Sequence, residues 1–278
     1  MSLVLEGVAA THPAARAGTH AIEAIDLVVD HGGQLALIGP SGAGKTTLLT
    51  ICSLQLRPAA GRILIDGIDP WTLSTRARHA LRKSLFVAPQ VPPLPARQRV
   101  VTSVLAGRLS QQGFIESIAS LIYPKRADLA FDALATMGLE DKLWQRVDRL
   151  SGGERQRVSL ARLLVSDARR WLVDEPLSAL DPALAERALR VLVDHATARR
   201  VTLIASLHQV DLAVRCFPRL VGLAKGRVVF DRASATVDAH VQAELYGLRT
   251  ESAPGPDDVS TAAPGFVQNG IFIPARVG

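Results

Sequence analysis

Gly39-Pro40-Ser41-Gly42-Ala43-Gly44-Lys45-Thr46-Thr47 is a glycine, four free positions, then glycine, lysine and a hydroxyl residue, the spacing of a phosphate-binding loop. Before it, Gln34-Leu-Ala-Leu-Ile38 reads as a short buried strand; after it, Leu48, Leu49 and Ile51 begin an apolar helical pattern. Strand, glycine-rich turn and helix are the context this chemistry needs. Gly39, Gly42 and Gly44 let the backbone curl with its N–H groups inward, where they can cradle phosphate oxygens. The helix that follows places its positive end on the same anion. Lys45 is placed to reach β- and γ-phosphates as a point charge, and the Thr46 hydroxyl to ligate Mg²⁺. A glycine turn that merely precedes a helix is the plainer alternative, and the flanking strand and helix weigh against it. The stretch reads as a nucleotide site.

The totals are those of a globular chain. Its 278 residues allow one large domain or two modest ones, with 48% hydrophobic and 21% charged residues. A net charge of +6 permits nucleic acid, nucleotide or an anionic membrane as partner and selects none. The aromatic content of 4% argues against a base-stacking single-strand binder. Cys52 and Cys216, without metal-type spacing, read as buried thiols in a reducing compartment. No secretory signal is visible, and no apolar run reaches the roughly 18 residues of a membrane span. A soluble cytoplasmic protein is expected.

Strands are expected at 3–8 and 22–29, joined by a small-residue loop at 11–19, then at 62–65 and 85–88, so that strands dominate up to Ala88. Pro92, Pro93 and Pro95 mark a break. Val100, Val101, Val104 and Leu105, then Ala130, Leu134 and Met137 before Gly138, recur at helical spacing. Residues 91–150 therefore read as a helical subdomain inserted into an α/β core, with 110–126 a broken helix or insertion. Alternation resumes with a strand at 171–173, a helix from Pro182 to about Thr197, a strand at 201–205, and a hairpin of 220–224 with 227–230 around Lys225-Gly226. An amphipathic stretch closes at Tyr246-Gly247. The Pro-, Gly-, Ser- and Ala-rich tail at 249–278 reads as flexible, with Phe266 and Ile271-Phe-Ile273 as candidate docking residues.

Asp174-Glu175, after an apolar strand, is the expected second half of a phosphate-loop ATPase, Asp174 on Mg²⁺ and Glu175 polarising water. In Leu150-Ser-Gly-Gly-Glu-Arg-Gln-Arg-Val158, Ser151, Gly152 and Gly153 open a helix whose free N–H groups and hydroxyl face an anion. With this run the chain resembles the ATP-binding cassette (ABC) family, over about residues 3–247. The resemblance implies a RecA-like α/β core, an antiparallel β subdomain and the inserted helical subdomain, together spanning 1–248.

The remaining site residues follow from that resemblance. ATP and Mg²⁺ are the implied ligands, held by the residues from Gly39 to Thr47 with Asp174. Gln90 matches the residue that senses Mg²⁺ and the γ-phosphate where the subdomains join. Ser178-Ala-Leu-Asp181 matches the loop that crosses to a partner subunit, and His208 the switch histidine at the γ-phosphate. Where the family stacks adenine on an aromatic residue, the candidate here is His12, followed by Pro13.

A finer similarity is to phosphonate-importer ATPases. It rests on Leu94-Pro-Ala-Arg97, Val101-Thr-Ser-Val-Leu-Ala-Gly-Arg108, Ser206-Leu-His-Gln-Val-Asp-Leu-Ala213 and Glu244-Leu-Tyr-Gly247. The resemblance to the ABC family implies an ATP-sandwich dimer in which Ser151, Gly152 and Gly153 of one copy cover the nucleotide of the other. The finer similarity implies transmembrane permease subunits, an associated solute-binding protein, and a peripheral place on the cytoplasmic face of the inner membrane. Nucleic acid is not an implied partner, since the chain has neither a long coiled-coil insertion nor two cassettes. A soluble ABC ATPase accessory to a carbon–phosphorus lyase complex stays open as the alternative.

Overall fold

The computed structural model describes residues 2–11, 20–110, 126–247, 267–268 and 271–272. The chain begins β1 (Leu3–Thr11), β2 (His20–Val29), β3 (Gln34–Ile38), α1 (Lys45–Cys52), β4 (Ala60–Ile65), α2 (Thr75–Arg82) and β5 (Leu85–Ala88). Helices α3 (Val100–Leu105), α4 (Ala127–Thr136) and α5 (Gly152–Leu164) follow. The remainder is β6 (Arg170–Asp174), α6 (Pro182–Ala198), β7 (Thr202–Leu207), α7 (Val210–Cys216), β8 (Arg219–Ala224), β9 (Arg227–Ala233) and α8 (Ala239–Gly247). In the tail, β10 (Val267–Gln268) pairs antiparallel with β11 (Ile271–Phe272).

Two sheets share the work. A three-stranded antiparallel sheet runs β2-β1-β4. A six-stranded sheet runs β5-β6-β7-β3-β8-β9, parallel except for the edge hairpin β8–β9. The period-two geometry of a strand sends successive side chains to opposite faces. Leu35 and Leu37 of β3, with Leu172 of β6 and Ile204 of β7, enter the core under the small sheet and α1. Ala36, Ile38, Trp171, Val173, Leu203 and Ala205 enter the other core, against α3 to α6. The inner strands β3, β6, β7 and β8 are buried on both faces, as a mostly parallel sheet requires, while the edge strand β9 is largely exposed.

The helical expectations hold where apolar spacing carried them. Val100, Val101, Val104, Ala130, Leu134 and Met137 are all buried, and α3 and α4 pack on α5. The expectation that strands dominate up to Ala88 misses α2. Ser74 caps it by accepting the Ala77 N–H at 3.3 Å, but no residue of the helix is buried. Apolar periodicity is silent on such a helix, and only its cap betrays it. Residues 111–125, His12 and most of the tail lie outside the described residues. No helix among the described residues is long and apolar enough to cross a membrane.

Cys52, at the end of α1, is fully buried, and burial pushes its thiol up to about 12 from an ordinary 9.0. The unfolded chain loses this proton near pH 9 while the folded chain keeps it. Its contribution to stability is therefore complete below pH 9 and declines between pH 9 and about 12, at a limiting slope of about 1.4 kcal/mol per pH unit. Cys52→Ala is expected to flatten the alkaline limb of the stability curve relative to the parent, measured by urea unfolding from pH 8 to 10.5.

Candidate functional site

The site lies at the C-terminal ends of β3, β5, β6 and β7, where an open α/β sheet leaves its ligand crevice. Residues 39–44 form the turn from β3 into α1, and Lys45, Thr46 and Thr47 open that helix. Gly39 and Gly44 sit at φ +150° and +103°, and a Cβ on Gly44 would stand 2.6 Å from the Ala21 carbonyl oxygen. The β8–β9 turn braces the loop: the Gly226 N–H donates to the Ala43 carbonyl at 3.2 Å, and the Glu23 N–H to the Gly226 carbonyl at 2.8 Å. Lys45 is 5% exposed, and its Nζ donates to the carbonyls of Gly39 (2.7 Å) and Pro40 (3.1 Å). Burial lowers its pKa, against the opposing pull of the Glu175 and Asp174 charges. A desolvated ammonium held among backbone dipoles favours further negative charge beside it, which a phosphate would bring.

Opposite the loop, β6 delivers Asp174 into the crevice, 8% exposed. Parallel pairing sets Asp174 beside Ser206 of β7, and residues in register share a face. The fully buried Ser206 hydroxyl donates to Asp174 Oδ1 and accepts the Glu175 N–H at 3.0 Å. Glu175 leaves the strand at φ +45°, a left-handed conformation that costs a β-carbon residue about 1–2 kcal/mol. Its carboxylate accepts Gln90 Nε2 at 2.7 Å on one oxygen and meets His208 Nε2 on the other. Two residues 118 positions apart thus converge on one carboxylate. Tyr246 of α8 donates to the His208 carbonyl at 3.3 Å, tying the histidine's backbone to the end of the fold.

Ser151, Gly152 and Gly153 open α5 with a complete capping box. Ser151 Oγ accepts the Glu154 N–H at 3.2 Å, and Glu154 Oε2 accepts the Ser151 N–H at 2.7 Å. That backbone bond is the main reason the Glu154 carboxyl is held below its ordinary value. These residues pack on the 178–180 loop: a Cβ on Gly153 would stand 2.8 Å from the Ala179 carbonyl oxygen. Asp181, read from sequence as part of a partner-facing loop, is the N-cap of α6 and accepts the Leu184 N–H at 3.0 Å. The fold thus joins Gln90, Asp174, Glu175 and His208 beside Lys45, and sets Ser151, Gly152 and Gly153 against the 178–181 loop.

Sequence reading missed Ser206, Gln156 and Tyr246. Ser206 leaves one signal, a lone hydroxyl in the otherwise apolar run Leu203-Ile-Ala-Ser-Leu207. Removing it would leave Asp174 and the Glu175 N–H each short of a partner. Ser206→Ala is expected to lower the kcat for ATP hydrolysis about tenfold with ATP affinity nearly unchanged, read by steady-state kinetics beside nucleotide titration.

Thr46, which is exposed, and Asp174 line one cavity of about 320 Å³ with Leu49, Thr50, Val87 and Pro89. A hydroxyl and a carboxylate are the hard oxygen donors that Mg²⁺ takes, and Asp174 keeps its second oxygen free of Ser206. The residues fit the ion.

A braced phosphate loop, a carboxylate pair at the end of β6 and a glutamine and a histidine on the second carboxylate define a P-loop nucleotide hydrolase. The chain belongs to the ABC transporter family, whose model matches residues 22–178. It is 51% identical over 256 residues to the phosphonates import ATP-binding protein PhnC 2 of Albidiferax ferrireducens, covering 92% of each chain. It is 50% identical to PhnC 1 of Pseudomonas aeruginosa, covering 88% of this chain and 91% of that one. Among solved structures, cbiO1 of Clostridium perfringens, part of the ABC transporter complex cbiONQ, superposes with a TM-score of 0.70 at 26% identity, covering 92% and 96%. A dimeric ATP-binding cassette bound to ADP and Pi shares the fold at a TM-score of 0.73 and 24% identity, covering 84% of this chain and 98% of that one.

Proposed function

We propose that this chain hydrolyses ATP as the energising subunit of an importer for a phosphonate or related phosphorus oxyanion. The observation that carries hydrolysis is the Glu175 carboxylate held between Gln90 and His208 beside Asp174. The extent and level of identity to phosphonate import subunits support the solute class. In this reading the N–H groups of 39–47 and Lys45 hold the β- and γ-phosphates, and Thr46 and Asp174 hold the metal. Bound Mg²⁺ supplies charge neutralisation on the phosphates. Glu175 orients a water toward the γ-phosphorus and accepts its proton, while His208 contacts the γ-phosphate. Ser151, Gly152 and Gly153 of a second copy cover the nucleotide.

The surface beside Gln90 suits a membrane partner. Val91 is 79% exposed and Trp144 55% exposed, both large apolar side chains left in solvent. The Val100 N–H donates to the Gln145 carbonyl at 2.9 Å and the Val147 N–H to the Gln98 carbonyl at 3.0 Å, which ties the segment after Gln90 to the one that carries Trp144. Exposed apolar side chains on these segments suit contact with a permease at the cytoplasmic side of the membrane.

A tagged Glu175→Gln chain, loaded with ATP, is expected to pull a multi-span protein from detergent-solubilised membranes. Uptake of labelled phosphonate through that complex then tests the solute. Recovery of soluble enzymes alone would overturn the transport reading in favour of a lyase-accessory ATPase.

A further inference from the structure

Gln156 is a buried amide, 5% exposed, on the second turn of α5. Its Nε2 donates to Ser178 Oγ at 2.8 Å, and its Oε1 accepts the Ala179 N–H at 2.9 Å. A backbone N–H can only donate, so the carbonyl end must face Ala179 and the amide orientation is fixed. Both ends of the side chain are thereby spent on one three-residue loop. The packing agrees. Gly153 admits the Ala179 carbonyl where any β-carbon would collide, and its own would stand 3.1 Å from the Leu180 side chain. Asp181 then caps α6, so the loop is anchored at its far end as well.

Resting on the dimer reading above, we infer that Gln156 is a positioning residue that locks the 178–180 loop to the start of α5. The two elements that face a second copy then move as one piece. The lock acts on the partner's nucleotide and leaves the nucleotide of its own chain untouched. Glycine packing sets the helix start against the loop, and the two hydrogen bonds of the amide fix how the two are held.

Mixed dimers with one Glu175→Gln chain test this, because their single competent site pairs the intact Glu175 of one chain with the α5 start of the other. Gln156→Met on the Glu175→Gln chain falls on the competent site and is expected to lower ATPase turnover about tenfold, the worth of two hydrogen bonds. The same substitution on the intact chain falls on the silent site and is expected to retain at least about half the activity, with ATP affinity unchanged in both. Ser178→Ala, an exposed position that removes one of the two bonds, is expected to show the same placement dependence at about threefold, and serves if Gln156→Met does not fold. Equal losses in the two arrangements, or none in either, would overturn the inference. If the Glu175→Gln chain alone forms no ATP-dependent dimer by light scattering, the dimer reading fails first and the inference falls with it.

Discussion

Glu175→Gln is expected to lower the kcat for ATP hydrolysis by about 10³-fold while ATP binds as tightly as before or tighter. The amide keeps the shape of the carboxylate, and one oxygen can still accept from Gln90 Nε2. It cannot take a proton from water. The nearest acid, Asp174, is committed to Ser206 on one oxygen and would hold the metal with the other. Losing a negative charge beside the γ-phosphate removes repulsion in the ground state, so affinity should not fall. Single-turnover hydrolysis alongside equilibrium nucleotide binding separates the two effects. Undiminished hydrolysis would place the base elsewhere and leave the Gln90–Glu175–His208 cluster a structural one.

Gly39→Ala is expected to abolish nucleotide binding and to cost about 3 kcal/mol or more of stability. The new Cβ would sit 2.0 Å from the Leu223 carbonyl oxygen, at a φ of +150°. Leu223 is backbone of β8, hydrogen-bonded into the sheet and its edge hairpin, so it cannot withdraw cheaply. The loop must move instead, and the loop is the cradle. Gly42→Ala is the internal control. Gly42 has φ +78° with nothing within 4 Å of an added Cβ, so that change should cost only the left-handed backbone strain of about 1 kcal/mol. Urea unfolding and ATP titration of the two variants should differ sharply. Similar behaviour would mean that glycine at 39 serves conformation alone.

Much of this was legible in the linear order because it is local. The phosphate loop needs three glycines, a lysine and a threonine within nine residues, and each constraint lies inside one turn. The capping box at Ser151 and Glu154 lies within four residues, and the apolar spacing of 100–105 and 130–137 marked helices whose buried faces the fold confirms. The hairpin at Lys225-Gly226 formed where its two runs predicted. Helix α2 escaped because it buries nothing, so no pattern records it.

The rest depended on register. Whether Ser206 faces Asp174 is decided by how β7 slides along β6, and a shift of one residue would send the hydroxyl to the opposite face. Neither strand's own sequence carries that information. Gln156 reads as one more polar residue on a helix until the loop after β6 closes on it. His208 reaches Glu175 only because two parallel strands end at the same height. Short-range motifs are written in the chain because one segment satisfies them. Contacts between segments exist only after burial of the two cores has chosen a single alignment of the strands.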